Sequence, residues 1–434
     1  MQTCFSSFSV LSFVCALSTP TSAQQIWKVN CLGGAGVDFT DLPPAVAAAA
    51  PGDEIRVYRS YGTICPLGSY YTATLITKPL RIVGFDPSGS PYSSTPTRAE
   101  FQGAFVIQGI PAGQMVVLSN INLGQGIGSA SQGGIVAVDC AGDILLEDVY
   151  YSSNWSTGSY VHFERCANVV LRRCSINLGG WPIRFIDSTA LLTSTYVDHV
   201  PSLAWPFNYE QTSEALRVHT STVTLIDSVL YGNDRYDPPP AYPITNWIER
   251  PAAVIESGTL RVGPATRLYG GFSGFPYPNE QAWAYRFAPP ATGTVEQDPR
   301  SLIYHMPLPA YVPQPIPTDI HATYHAWVVG GEDFQVTVAG PANGFGLLAI
   351  GDWQPLALPT SLGPLAVTPA SLTLLDIAPL AAGNGSFEWT LHCPSTAAVA
   401  HAFCMQAAVL SPTGILSLTV PSPLTVGWPN GQIP

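Results

Sequence analysis

A short apolar run, Val116-Val117-Leu118-Ser119-Asn120-Ile121-Asn122-Leu123, recurs along this chain. Copies begin at Val169-Val170-Leu171 and Val223-Thr224-Leu225, with looser versions over Ile144 to Val149 and Leu191 to Val197. Recurrence at tens of residues constrains the fold more than any local propensity. A unit this short cannot bury its own apolar face and must stack against neighbouring copies in a solenoid. The aligned leucines Leu118, Leu146, Leu171, Leu192 and Leu225 are separated by 28, 25, 21 and 33 residues. Leucine-rich and ankyrin arrays hold their period far more tightly. A fixed strand core with turns of variable length fits a β-helix, whose coils lie about 4.8 Å apart.

Composition agrees. Charged residues make up 11% of the 434, whereas Gly (39) and Pro (41) are abundant, so both disorder and a helical fold are poor fits. The net charge is −12, and Lys28 and Lys78 are the only lysines. Nucleic-acid phosphates would repel such a chain. At the N-terminus, Phe5 to Leu17 is a short apolar run and Thr21-Ser22-Ala23 offers a small-x-small cleavage pattern, although Met1 to Cys4 carries no Lys or Arg. The run is too short to span a bilayer, and Val14 before Cys15 argues against lipid attachment. The expectation is a signal peptide over residues 1–23, no transmembrane segment, and a secreted or cell-surface protein.

Cleavage after Ala23 leaves Cys31, Cys65, Cys140, Cys166, Cys174, Cys393 and Cys404. Cys393 and Cys404, on successive strand-like runs, form the first candidate disulfide, and Cys31 with Cys65 the second. Cys140 and Cys166 occupy equivalent repeat positions and suit small stacked core residues. No Cys-x-x-Cys or His-x-x-x-His spacing supports zinc.

Near the start, Phe39 to Ala50 reads as a short helix capped by Thr40 or Asp41, with Pro43 and Pro44 in its first turn. Strands Ile55-Arg56-Val57 and Leu80-Arg81-Ile82-Val83-Gly84 follow. This stretch resembles the opening of secreted right-handed parallel β-helix proteins of the pectin-lyase-like kind, in which a short amphipathic helix caps the first coil. The resemblance covers roughly residues 29–262 and implies a fold; it carries little about activity. Leu260-Arg261-Val262 marks the last coil with a clear pattern, and residues 263–301 have none. Residues 305–320 are a Pro-rich linker. Beyond it, short strands between Gly/Pro turns predict a small β-sandwich over residues 321–434, similar to a C-terminal module that environmental bacteria append to exported repeat proteins. The fold class is thus all-β: a right-handed parallel β-helix over residues 24–304, followed by that sandwich.

A second strand precedes each later repeat: Val161-His162-Phe163-Glu164, Ile183-Arg184-Phe185-Ile186, Leu216-Arg217-Val218-His219 and Ala253-Val254-Ile255-Glu256. Period-two alternation places His162, Arg184, Arg217 and Val254 in one outward column and Glu164, Ile186, His219 and Glu256 in another. Two long excursions beside them hold Trp205, Tyr209 and Glu210, and Asp234, Tyr236 and Trp247. In polysaccharide lyases and hydrolases of the resembling fold, substrate lies along one exterior strand face walled by loops. His162, Glu164, Arg184, Arg217 and His219 are therefore the candidate catalytic set, with an Arg or His as base at C5 of a uronate. The six loop residues are candidate glycan contacts. The plainer alternative is a solvent-facing strand whose charges pair with one another.

The polygalacturonase signatures Asn-Thr-Asp, Gly-His-Gly and Arg-Ile-Lys are missing, as is the aspartate cluster with which pectate lyases hold calcium. Calcium at Asp139, Glu147 and Asp148 lacks a repeated Asp-rich nonapeptide, so the sequence points to no cofactor. Three readings result. The first is a non-catalytic exported protein presenting a glycan-binding or adhesive face, with a polysaccharide or envelope glycan as partner. The others are a polysaccharide lyase or glycoside hydrolase and a structural spacer.

Overall fold

The computed structural model describes residues 24–58, 70–85, 98–124, 133–152, 160–178, 181–199, 214–232, 251–271, 284–288, 292–298, 300–304, 319–322, 327–329, 331, 333–360, 363–367, 371–382, 385–393, 402–419 and 422–427. Up to Ile303 it is a parallel β-helix of three sheets. The first runs from Leu75–Ile76 to Tyr285–Phe287, the second from Ile26–Val29 to Thr294–Gln297, and the third from Tyr71–Thr72 to Leu302–Ile303. Strands Gly134–Glu147 and Tyr160–Arg172 pass from the first sheet into the second, which merges the two into one hydrogen-bonded sheet.

The leucine alignment read from the sequence is the real register. Ile55, Ile82, Leu118, Leu146, Leu171, Leu192, Leu225 and Val262 are consecutive in-register partners, all fully buried. Residues 263–301, which show no readable pattern in the sequence, carry strands of the β-helix. Arg267–Tyr269 completes the coil of Ala253–Ile255 and Gly258–Val262, and Tyr285–Phe287, Thr294–Gln297 and Leu302–Ile303 form a further coil paired with it. Strands of only two to four residues are too short for an apolar periodicity to be read.

Each coil bends through single residues in the left-handed region. Asn120, Asp148, Arg173, Ser194 and Asp227 turn the second sheet into the third, and Asp139, Arg165, Asp187 and Thr220 turn the first into the second, all with φ between 46° and 57°. That conformation costs a non-glycine residue about 1–2 kcal/mol. Side-chain links between successive corners offset it: Arg173 reaches both carboxylate oxygens of Asp148 at 2.9 Å, Arg165 reaches Asp139, Thr220 reaches Asp187, and Ser194 donates to Asp227. Helix Leu42–Ala48 closes the N-terminal end with Leu42, Ala45 and Val46 buried. Asp41 is its N-cap, accepting from the backbone N–H groups of Leu42 and Thr72.

The C-terminal unit is a β-sandwich. One antiparallel sheet holds Asp319–Ala322, Asp333–Ala339 and Ser386–His392. The other is built on Phe345–Thr360 and Ala402–Leu410, flanked by Gly363–Val367, Thr373–Pro379, Leu416–Leu418, Ser422–Gly427 and Trp327–Val329. Val336, Val338, Leu348, Trp389, Cys393, Phe403, Met405, Ala407 and Val409 fill the space between them.

The proposed Cys393–Cys404 bridge does not form, and both residues are thiols. Strand parity explains the error. Phe403, Met405, Ala407 and Val409 face the sandwich core with Cys393, whereas Cys404 points out of the opposite face. There it joins Met115, Val117, Leu145, Val170 and Val367, with Leu191 and Leu365 at the edge. The sandwich is therefore docked on the outer face of the second sheet. Cys140, Cys166 and Cys174 are buried thiols as well, Cys140 and Cys166 being in-register neighbours. Cys31 is disulfide-bonded, and Cys65, its expected partner, lies outside the described residues.

Candidate functional site

The outward columns of the first sheet are arranged as alternation requires. His162, Arg184 and Arg217 are in-register partners on three successive coils, continuing into Val254 and Arg286. Glu164, Ile186 and His219 form the parallel column. Toward the N-terminal end the same columns become Val106 and Val136, and Gln108 and Val138, so the charged stretch begins abruptly at His162.

Most of these charges are matched locally. His162 Nε2 lies 3.3 Å from Glu164 Oε2, and Glu164 is also bound by Arg165, whose Nε contacts Asp139 Oδ1. His162, with Arg165 beyond burial's opposing effect, holds the Glu164 carboxyl below its ordinary value. Two coils on, Arg217 Nε donates to Glu214 Oε1 at 2.7 Å and Nη1 lies 3.3 Å from Glu256 Oε1. Glu256 Oε2 in turn sits 2.9 Å from His219 Nδ1. Glu214 is nearly inaccessible, so this second cluster is rooted in the wall of the helix.

Arg184, on the coil between them, differs. No described carboxylate pairs with it, and its Nε is a buried donor without an acceptor. Two aromatic rings are exposed nearby in the chain. Tyr160 opens the strand that carries His162 and Glu164, and Trp181 lies three residues before Arg184. Sequence reasoning passed over both because it sought aromatics in the long excursions. It also missed Arg165 and Glu214, which lie at a corner or outside the alternating run, and weighed Asp139 only as a calcium ligand rather than as the partner of Arg165. Trp205, Tyr209, Glu210, Asp234, Tyr236 and Trp247 lie outside the described residues.

The calcium candidates are engaged elsewhere: Asp139 by Arg165, Glu147 by Arg172 and Arg173, and Asp148 by Arg173. Among the described residues no group of three or more His, Cys, Asp or Glu side chains could hold a metal, and no helix is long and apolar enough to cross a membrane.

Fold and site together define a parallel β-helix with an appended β-sandwich and an arginine-centred outer face. No protein-family model matches the chain, and no curated protein matches it either.

Proposed function

We propose that this protein is an exported, non-catalytic β-helix of the pectin-lyase-like kind that binds an acidic polysaccharide along the outer face of its first sheet. The observation that carries this reading is Arg184, a cation without a described carboxylate partner, set between His162 and Arg217 in one register column. A guanidinium offers a planar, bidentate fit to a uronate carboxylate. The exposed rings of Tyr160 and Trp181 supply apolar faces for sugar rings.

The surrounding network favours binding over catalysis. A proton-abstracting base needs an available lone pair and a pKa near the working pH. Glu164 is saturated by His162 and Arg165 and is held as a weak base, while Glu256 is shared by Arg217 and His219. These pairs fix the walls of the strip around Arg184. Export rests on the apolar run and small-residue cleavage pattern at the N-terminus.

Native gels containing polygalacturonate or alginate test the reading. The expected result is retardation that Arg184→Ala abolishes, with no rise in absorbance from unsaturated product. Product formation lost in Arg184→Ala would make the protein a lyase. Migration unaffected by either polymer would discard the site.

A further inference from the structure

The outer face of the third sheet carries a feature that neither the first-sheet column nor the core employs. Tyr231 and Tyr269 are in-register partners with ring centroids 4.6 Å apart and planes 5° from parallel. Tyr304, just past Leu302–Ile303, continues the stack at 4.4 Å and 17°. Asp198 precedes Tyr231 in this column, and Asn177 precedes Asp198. In the flanking column Tyr196 leans on Tyr231 at 5.7 Å, with its hydroxyl 3.3 Å from Asp198 Oδ2.

The coils do not need these rings for their interior. Ile176, Val197, Leu230 and Leu268 already fill the inner face of the same strands. Stacked flat along the helix axis, the three rings use their faces on one another and turn edges and hydroxyls outward. The result is a ridge of identical donor–acceptor groups at the spacing of the coils. Tyr196 and Tyr304 are more than a third exposed, so the ridge is open at both ends. Burial, and after it the neighbouring Tyr269 phenol, raises the Tyr231 phenol, and a hydrogen bond with Tyr269 raises that of Tyr304.

Identical groups repeating along an axis suit a ligand that itself repeats. We propose that the ridge Tyr231–Tyr269–Tyr304, with Tyr196 and Asp198 at its N-terminal end, binds a neutral polysaccharide laid along the helix axis. Hydroxyl rows match the donors and acceptors that sugars present, and the Asp198 carboxylate disfavours a polyanion. This surface shares no residue with the Arg184 strip and lies on a different sheet, so the two stand or fall separately.

The test is co-sedimentation of the full chain with microcrystalline cellulose, chitin and insoluble xylan. Tyr231→Phe/Tyr269→Phe keeps the stacked rings and removes two hydroxyls. The expected result is retention on at least one polymer, weakened roughly tenfold in the double variant and unchanged in Arg184→Ala. Thermal melting of the double variant should match the parent; should it fall, Tyr304→Phe at the end of the stack supplies the same readout. Retention on none of the three polymers, or parent-like binding by the hydroxyl-deleted variants, would overturn the proposal.

Discussion

Arg172 Nη1 lies 3.3 Å from Glu147 Oε1 across neighbouring coils, and neither side chain reaches solvent. Both point outward from the second sheet, so on a bare β-helix they would be wet. They stay dry because the sandwich covers them: Arg81, Glu147 and Arg172 are close enough to act on the Cys404 thiol, which belongs to the other unit. Arg173 adds a second contact to Glu147 at 3.0 Å. A buried pair of this kind is costly to break and cheap to replace.

Glu147→Ala should therefore destabilise the protein by about 3–5 kcal/mol, measured by urea denaturation at neutral pH. Glu147→Leu/Arg172→Leu should recover most of that loss or exceed the parent. A single variant no less stable than the parent would show that the pair is solvated.

The apolar part of the same interface gives a second test. Val117, Leu145 and Val170 are consecutive register partners facing Val367 and Cys404. Leu145→Ala leaves a cavity between the units and should cost about 2–5 kcal/mol. Leu145→Asp should undock the sandwich, seen as faster proteolytic release of an intact C-terminal fragment while the β-helix keeps its far-UV signal.

How much of this was legible follows from which residues repeat. The inward leucines recur once per coil whatever the turn length, so register could be read directly. Val-Val-Leu and Leu-Leu-Glu also break the period-two rule, which signals strands covered on both faces. Nothing in the runs themselves says that Val367 and Cys404 do the covering, since that cluster joins segments roughly 200 or more positions apart. The first-sheet columns were legible because alternation sets them, but their pairing was not. Arg165 enters through a left-handed corner and Glu214 lies three residues from Arg217 outside the strand. Tyr231, Tyr269 and Tyr304 were hidden by unequal insertions between coils.

Thiol chemistry checks the parity argument. In denaturant without reductant, Cys393 and Cys404 should alkylate fully, whereas Cys31 should alkylate only after reduction. A Cys393–Cys404 cross-linked peptide by mass spectrometry would contradict the placement of Cys404 against the β-helix.

The corners yield a stabilising change. Ala265 has φ 56° and, unlike Arg173 or Ser194, no polar side chain to link it to another coil. Ala265→Gly should remove the steric penalty of the left-handed conformation and raise stability by about 1 kcal/mol, net of glycine's extra chain entropy. An unchanged or lower melting temperature would mean that the corner relaxes to another backbone state.

Acid stability should trace to Glu54. Its carboxylate is buried with Arg56 and Arg81, whose side chains have almost no exposure. Burial alone pushes the Glu54 pKa up, but attraction and hydrogen bonds from Arg81 and Arg56 more than reverse this and leave it below the ordinary 4.5. A folded-state pKa below the unfolded value means that the unfolded chain takes up the proton first as pH falls. The stabilisation is then fully present above about pH 4.5 and is lost progressively below it, toward the depressed folded-state value. Urea midpoints measured from pH 7 to pH 3 should be flat with respect to Glu54 down to that point and then decline. Glu54→Gln should lower the neutral-pH midpoint, because two buried guanidinium groups lose their counter-charge, and should flatten the acid limb. An acid limb as steep in Glu54→Gln as in the parent would assign the transition to another carboxylate.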